Sequence, residues 1–99
     1  MFYIYILFSN SIDRYYIGHT SDVLRRLDEH NNPDEFSKYT AKGIPWSLVL
    51  SFKISPSRSD AIRVERFIKR QKNRSFIQRL IDQNGNIEYF TNLIKNILE

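Results

Sequence analysis

The stretch that decides the fold is residues 2–18, which read FYIYILF at 2–8, SNSIDR at 9–14 and YYIG at 15–18. The first seven are apolar and rich in β-branched and aromatic side chains, the composition of a short buried strand. Ser9 to Arg14 is turn chemistry, and Tyr15–Gly18 resumes as strand. So short a link predicts an antiparallel hairpin. The apolar run ends at Phe8 and has neither a basic leader nor a small-residue cleavage site, so it reads as strand and not as a secretion signal.

Downstream, Thr20, Ser21 and Asp22 offer helix N-caps. Val23, Leu24 and Leu27 supply the apolar stripe of a helix running to about Asn31, stopped by Asn32-Pro33. Residues 34–45 are polar and loop-like, and Trp46–Ile54 alternates as a third strand. Pro56 to Asp60 opens the next helix, whose Ala61, Val64, Phe67 and Ile68 recur at helical spacing to about Lys72. Phe76, Ile77, Leu80 and Ile81 form a further stripe, closed by Asn84-Gly85. Ile87, Phe90, Leu93, Ile94 and Ile97 give a C-terminal helix over about 86–98. The order β-β-α-β-α-α, with that last helix appended, predicts an α+β fold: a three-stranded, mostly antiparallel sheet flanked by helices.

The 99 residues are one domain's worth, so a single domain over 1–99 is expected. Three glycines and three prolines leave little room for linkers. The absence of cysteine excludes disulfides and thiolate zinc sites, and fits a reducing cytoplasm. No stretch approaches the roughly 18 apolar residues of a membrane span, so no membrane partner is expected.

The net charge of +4 is unevenly spread. Arg58, Arg63, Arg66, Lys69, Arg70, Lys72, Arg74 and Arg79 face only Asp60 and Glu65, so residues 58–79 carry +6 and the rest of the chain −2. Concentrated basicity of this kind marks a surface that meets a polyanion. Its bland counterpart is a solvated helix rich in Arg and Lys.

Three polar residues stand out. Arg26 and His30 are four apart and share a helix face bordering the buried side. Read alone, the first is a solvent-facing arginine and the second a surface histidine. Glu65 is an acid inside the basic segment, close to the apolar positions Ala61 and Ile68. By itself it reads first as a salt-bridge partner of Arg66 or Lys69, and second as a hard oxygen ligand for a divalent cation. Tyr3 and Tyr5 fall on one strand face, and a tyrosine hydroxyl at a cleft edge can serve as acid, base or phosphate contact.

Taken together, these residues resemble the GIY-YIG nuclease family. Tyr3-Ile4-Tyr5 stands where the family has G-I-Y, with Tyr in place of Gly. After ten residues Tyr16-Ile17-Gly18 is an intact Y-I-G. YYIGHTSDVLRRLDEHN (15–31), KYTAKGIPWSLVLSF (38–52) and ERFIKRQKNRSFIQRLI (65–81) are similar to the continuing segments of small stand-alone members, so the resemblance spans about 2–81. It is also similar to the nuclease half of the bacterial excision-repair incision protein, which implies a DNA-repair setting.

The resemblance implies site residues by position. Tyr5 and Tyr16 stand at the two motif tyrosines, Arg26 at the catalytic arginine, His30 where many members have histidine or tyrosine, and Glu65 at the metal-binding glutamate. The position after Y-I-G, lysine in some members, is His19. Asn73 is the nearest counterpart of an asparagine some members carry, at a spacing that does not clearly match. The implied activity is phosphodiester hydrolysis with one Mg²⁺ or Mn²⁺ on Glu65, Arg26 clamping the phosphate, and Tyr5 or Tyr16 as base with His30 accepting or relaying the proton. Arg63, Arg66, Lys69, Arg70, Lys72 and Arg74 would hold flanking phosphates of a nucleic acid, DNA ahead of RNA. So short a chain carries no separate recognition domain, so specificity would be structural or supplied by a partner protein. The alternatives are a binding module of this fold without turnover, and a small interaction protein with an acidic partner.

Overall fold

The computed structural model describes residues 1–32 and 38–99. Strand β1 (Phe2–Ser9) is central, with β2 (Arg14–Thr20) and β3 (Trp46–Ser55) on either side in the order β2-β1-β3. Both pairings are antiparallel, so the α+β reading stands and the expected "mostly antiparallel" sheet is antiparallel throughout. A central strand covered on both faces must be apolar at every position, and Ile4, Tyr5, Ile6 and Leu7 are each at most 1% exposed. Each such side chain contributes about 1.5–3 kcal/mol by leaving water.

Alternation divides the core in two. Ile4 and Ile6, with Leu50 and Phe52, pack under α3 (Arg58–Arg70), α4 (Arg74–Asp82) and α5 (Ile87–Leu98) through Val64, Ile68, Ile77, Leu80 and Phe90. Phe52 and Phe90 stack with centroids 4.3 Å apart. Tyr5 and Leu7 point to the other face, where Trp46, Tyr16, Leu48, Val23 and Leu27 join them beneath α1 (Val23–Asn31).

The helices begin where the sequence offers caps. Asp22 accepts from the Arg25 amide at 3.2 Å and opens α1. Ser57 opens α3 by accepting from the Asp60 amide. Asn73 opens α4, accepting from the amides of Ser75 and Phe76. Lys72 just before it has φ 46°, the left-handed turn that separates α3 from α4, so α3 stops at Arg70 and not at Lys72. Gly85 takes φ 87° between α4 and α5.

Other expectations need correction. Leu24 is 73% exposed, so the buried stripe of α1 rests on Val23 and Leu27. A four-residue helix, α2 (Lys38–Ala41), lies inside the segment expected to be loop. Asn32 is the C-cap of α1, whereas Pro33 and residues 34–37 lie outside the described residues. No helix among the described residues is long and apolar enough to cross a membrane.

Candidate active site

The site is organised by a side chain of the buried central strand. Tyr5 pairs across β1 and β2 with Gly18, and its ring lies over that glycine. A Cβ at position 18 would stand 2.5 Å from the Tyr5 hydroxyl oxygen and 2.7 Å from Cζ. Glycine in a strand interior marks just such a close approach.

Over Gly18 the Tyr5 hydroxyl meets two groups from α1. Arg26 Nε donates to it at 3.3 Å, and His30 Nε2 lies 3.0 Å away. Four-residue spacing on α1 aims both side chains at one point. The Arg26 N–H takes a lone pair of the phenolic oxygen, which leaves the hydroxyl hydrogen to point at the imidazole nitrogen. His30 is 1% exposed, which corrects its reading as a surface histidine. Burial, aided by the Arg26 charge, pulls its pKa down to about 4, so it is a neutral acceptor. Burial pushes Tyr5 up to about 12 against the opposing hydrogen bond from Arg26. Arg26 is a third exposed, and its Nη1 lies 3.6 Å from Glu29. Tyr16 is half-buried with its ring 4.6 Å from His30 and 6.2 Å from Tyr5.

His19 alternates to the opposite side of β2, toward α3. There its Nδ1 lies 2.6 Å from Glu65 Oε1, and Lys69 Nζ donates to Glu65 Oε2 at 2.7 Å. The salt-bridge partner of Glu65 is thus Lys69, one of the two expected, and the histidine is a second neighbour. Because β2 is an edge strand, the two halves of the site meet around it. A polar cleft of about 320 Å³ is lined by His19, Asp22, Arg25, Arg26, Glu29 and Arg58.

The basic residues do not gather at one place. Arg63, Arg66 and Arg70 share the outer face of α3, roughly 100–160° around the helix from Glu65, and line a groove against α5 with Phe67 and Ile97. Lys69 also borders that groove, while its ammonium bonds Glu65. Lys72 and Asn73 lie beside Tyr15. Arg74 clasps Asp13 through two bonds of 3.0 and 3.1 Å and sits 5.2 Å above the Tyr15 ring. Their hydrogen bonds hold Asp13 below and Arg74 above their ordinary pKa values.

Sequence reasoning missed Gly18, Glu29 and the place of Arg58 in the cleft. Only Gly18 carried a signal, as a glycine inside a strand. Among the described residues no three His, Cys, Asp or Glu side chains form a ready-made metal cage. The donor set is one carboxylate with an imidazole beside it. That fits a hard divalent cation which keeps most of its waters and takes further oxygens from substrate phosphate.

A family model described as the GIY-YIG catalytic domain matches residues 1–80. A UPF0213 protein of Streptococcus agalactiae serotype V is 37% identical over 84 residues, covering 85% of this chain and 91% of that protein. A UPF0213 protein of Streptococcus pneumoniae serotype 4 is 38% identical over 58 residues, and the match spans 59% of this chain and little more than half, 57%, of that relative.

Proposed function

The chain belongs to the GIY-YIG family, whose domain is a nuclease domain, and from that premise we propose that it is a metal-dependent endonuclease cutting phosphodiester bonds in nucleic acid, DNA ahead of RNA. The observation that carries this reading is the convergence of Arg26 Nε and His30 Nε2 on the Tyr5 hydroxyl, beside a polar cleft that also takes in His19 and Arg58.

Arg26 presents a planar fork to a phosphate oxygen, which lysine cannot match. Tyr5 and Glu29 hold that fork from behind. Tyr5 is 1% exposed and keeps its proton up to about pH 12, which suits a residue that positions Arg26 better than one that activates water. Tyr16 is the motif tyrosine that solvent reaches, so the role of general base falls to it, with its ring packed against buried His30. Glu65 would hold one Mg²⁺ or Mn²⁺, which when bound supplies positive charge for the scissile phosphate and the departing 3′ oxygen. Lys69 bonds the other carboxylate oxygen, Oε2, and leaves Oε1 to the ion. The cytoplasm is the proposed setting, and a partner protein would add target specificity.

The test is incubation of the protein with single-stranded, branched and duplex DNA and with RNA, with and without Mg²⁺ or Mn²⁺. Metal-dependent cutting that Glu65→Ala and Arg26→Ala abolish is the expected result. Binding without cutting under every condition makes the chain a non-catalytic module of this fold. Cutting by Arg26→Ala at the parent's rate removes the proposed mechanism.

A further inference from the structure

We infer that His19 is a second protein ligand of the divalent cation, so that the site is a mixed nitrogen–oxygen pair with Glu65 and prefers Mn²⁺ to Mg²⁺. The inference rests on Glu65 being the cation's carboxylate. Its basis is geometric. His19 Nδ1 and Glu65 Oε1 stand 2.6 Å apart although 46 residues separate them in the chain. Both side chains are more than four-fifths buried, so neither wanders. Phe2 packs against the imidazole with centroids 6.5 Å apart, and Arg58 lies 4.7 Å over the Phe2 ring, which walls the histidine toward the carboxylate.

Two donors at adjacent positions of a six-coordinate ion, each about 2.1 Å from it, stand about 3 Å apart. To share an ion the observed pair would open by a few tenths of an ångström and turn Nδ1 and Oε1 from facing each other to facing the ion. A histidine and a carboxylate that would share an ion close on each other through a hydrogen bond when none is between them. The remaining contact of the carboxylate, Lys69 on Oε2, leaves Oε1 to the pair. Imidazole is a borderline ligand best suited to the later transition ions; Mn²⁺, the first of that series, accepts it more readily than Mg²⁺, which takes oxygen. A single carboxylate would discriminate weakly, and adding a nitrogen donor tilts the site toward manganese.

The experiment reads metal binding directly. Mn²⁺ is titrated into the parent, His19→Gln, His19→Asn and Glu65→Gln, following loss of the free-ion EPR signal, with Mg²⁺ as competitor, both alone and with a duplex oligonucleotide present. The expected result is that both His19 variants, checked as folded by circular dichroism, lose at least about tenfold in Mn²⁺ affinity while Mg²⁺ competition barely changes. Variants of His19 that bind Mn²⁺ as the parent does, or a parent that binds none in either setting, overturn the inference. If His19 variants bind normally and Glu65→Gln does not, the inference about His19 fails and the reading of Glu65 survives. If Glu65→Gln also binds normally, that reading fails too.

Discussion

The phenolic oxygen of Tyr5 lies 2.5 Å from the point where a Cβ on Gly18 would stand. Tyr5 therefore reaches Arg26 and His30 only because its cross-strand partner has no side chain. Gly18→Ala should destabilise the fold by about 1–3 kcal/mol, as overpacking of a filled core does, and should displace the hydroxyl from both partners. Thermal melts and the His30 ring resonances measure this. Tyr5→Phe should not relieve the strain, since Cζ and Cε1 also lie within 3 Å of that point. A Gly18→Ala protein with the parent's melting temperature and cutting rate would show that the ring has room to move.

The two motif tyrosines should fail in different ways. Tyr5→Phe leaves Arg26 Nε and the buried His30 Nε2 without the hydroxyl between them, a loss of about 1–3 kcal/mol of stability. Its effect on cutting should come through a misplaced Arg26. Tyr16→Phe should melt close to the parent and bind DNA as tightly, yet turn over about 10²–10⁴-fold more slowly. Single-turnover kinetics beside a binding titration separates the two. A Tyr16→Phe protein that cuts at the parent's rate would end the assignment of Tyr16 as base.

The sequence told the strands and the site unequally. Residues 2–8 announced a buried strand because both faces are covered and every position is apolar. The short link to Tyr15 announced the hairpin, and the stop between α3 and α4 was legible in part, since Asn73 is a capping residue, although its neighbour Lys72 gave no hint of its left-handed φ. Helix α2 was hidden because four residues carry no periodicity. Within the site, the four-residue step from Arg26 to His30 could be read directly from α1. That His30 is buried could not, because its partner Tyr5 is 25 residues away. The pairing of His19 with Glu65 depends on α3 packing across the face of β2 and has no local trace.

Stability should form a plateau in pH bounded by two buried groups. His30 titrates at about 4 in the fold against 6.5 unfolded, so between those values the unfolded chain binds the extra proton and stability falls as pH falls. Tyr5 titrates at about 12 against 10.0. From pH 10 upward the unfolded chain therefore releases a proton that the native state retains, and stability falls as pH rises. Each limb should approach about 1.4 kcal/mol per unit where its group alone titrates. Urea melts across the range should lose the acid limb in His30→Gln and the alkaline limb in Tyr5→Phe. Parent and His30→Gln with parallel stability curves below pH 6.5 would mean that His30 is not held neutral.

The outer face of α3 should contribute affinity and not chemistry. Arg63, Arg66 and Arg70 are exposed, line the groove against α5, and point away from Glu65. Contacts there neutralise backbone phosphates, and each one released lowers the slope of log affinity against log salt by about 0.9 on duplex DNA. The triple alanine variant should keep the parent's melting temperature, bind DNA more weakly at every salt concentration and show a slope smaller by up to about 3. At saturating protein its cutting rate should match the parent's. Arg74→Ala is the internal control: its guanidinium is already clasped by Asp13 and lies over Tyr15, so its slope should change least. Equal losses from Arg74→Ala and from the triple variant would place the nucleic acid across α4 and the hairpin turn, and would remove the α3–α5 groove from the binding surface.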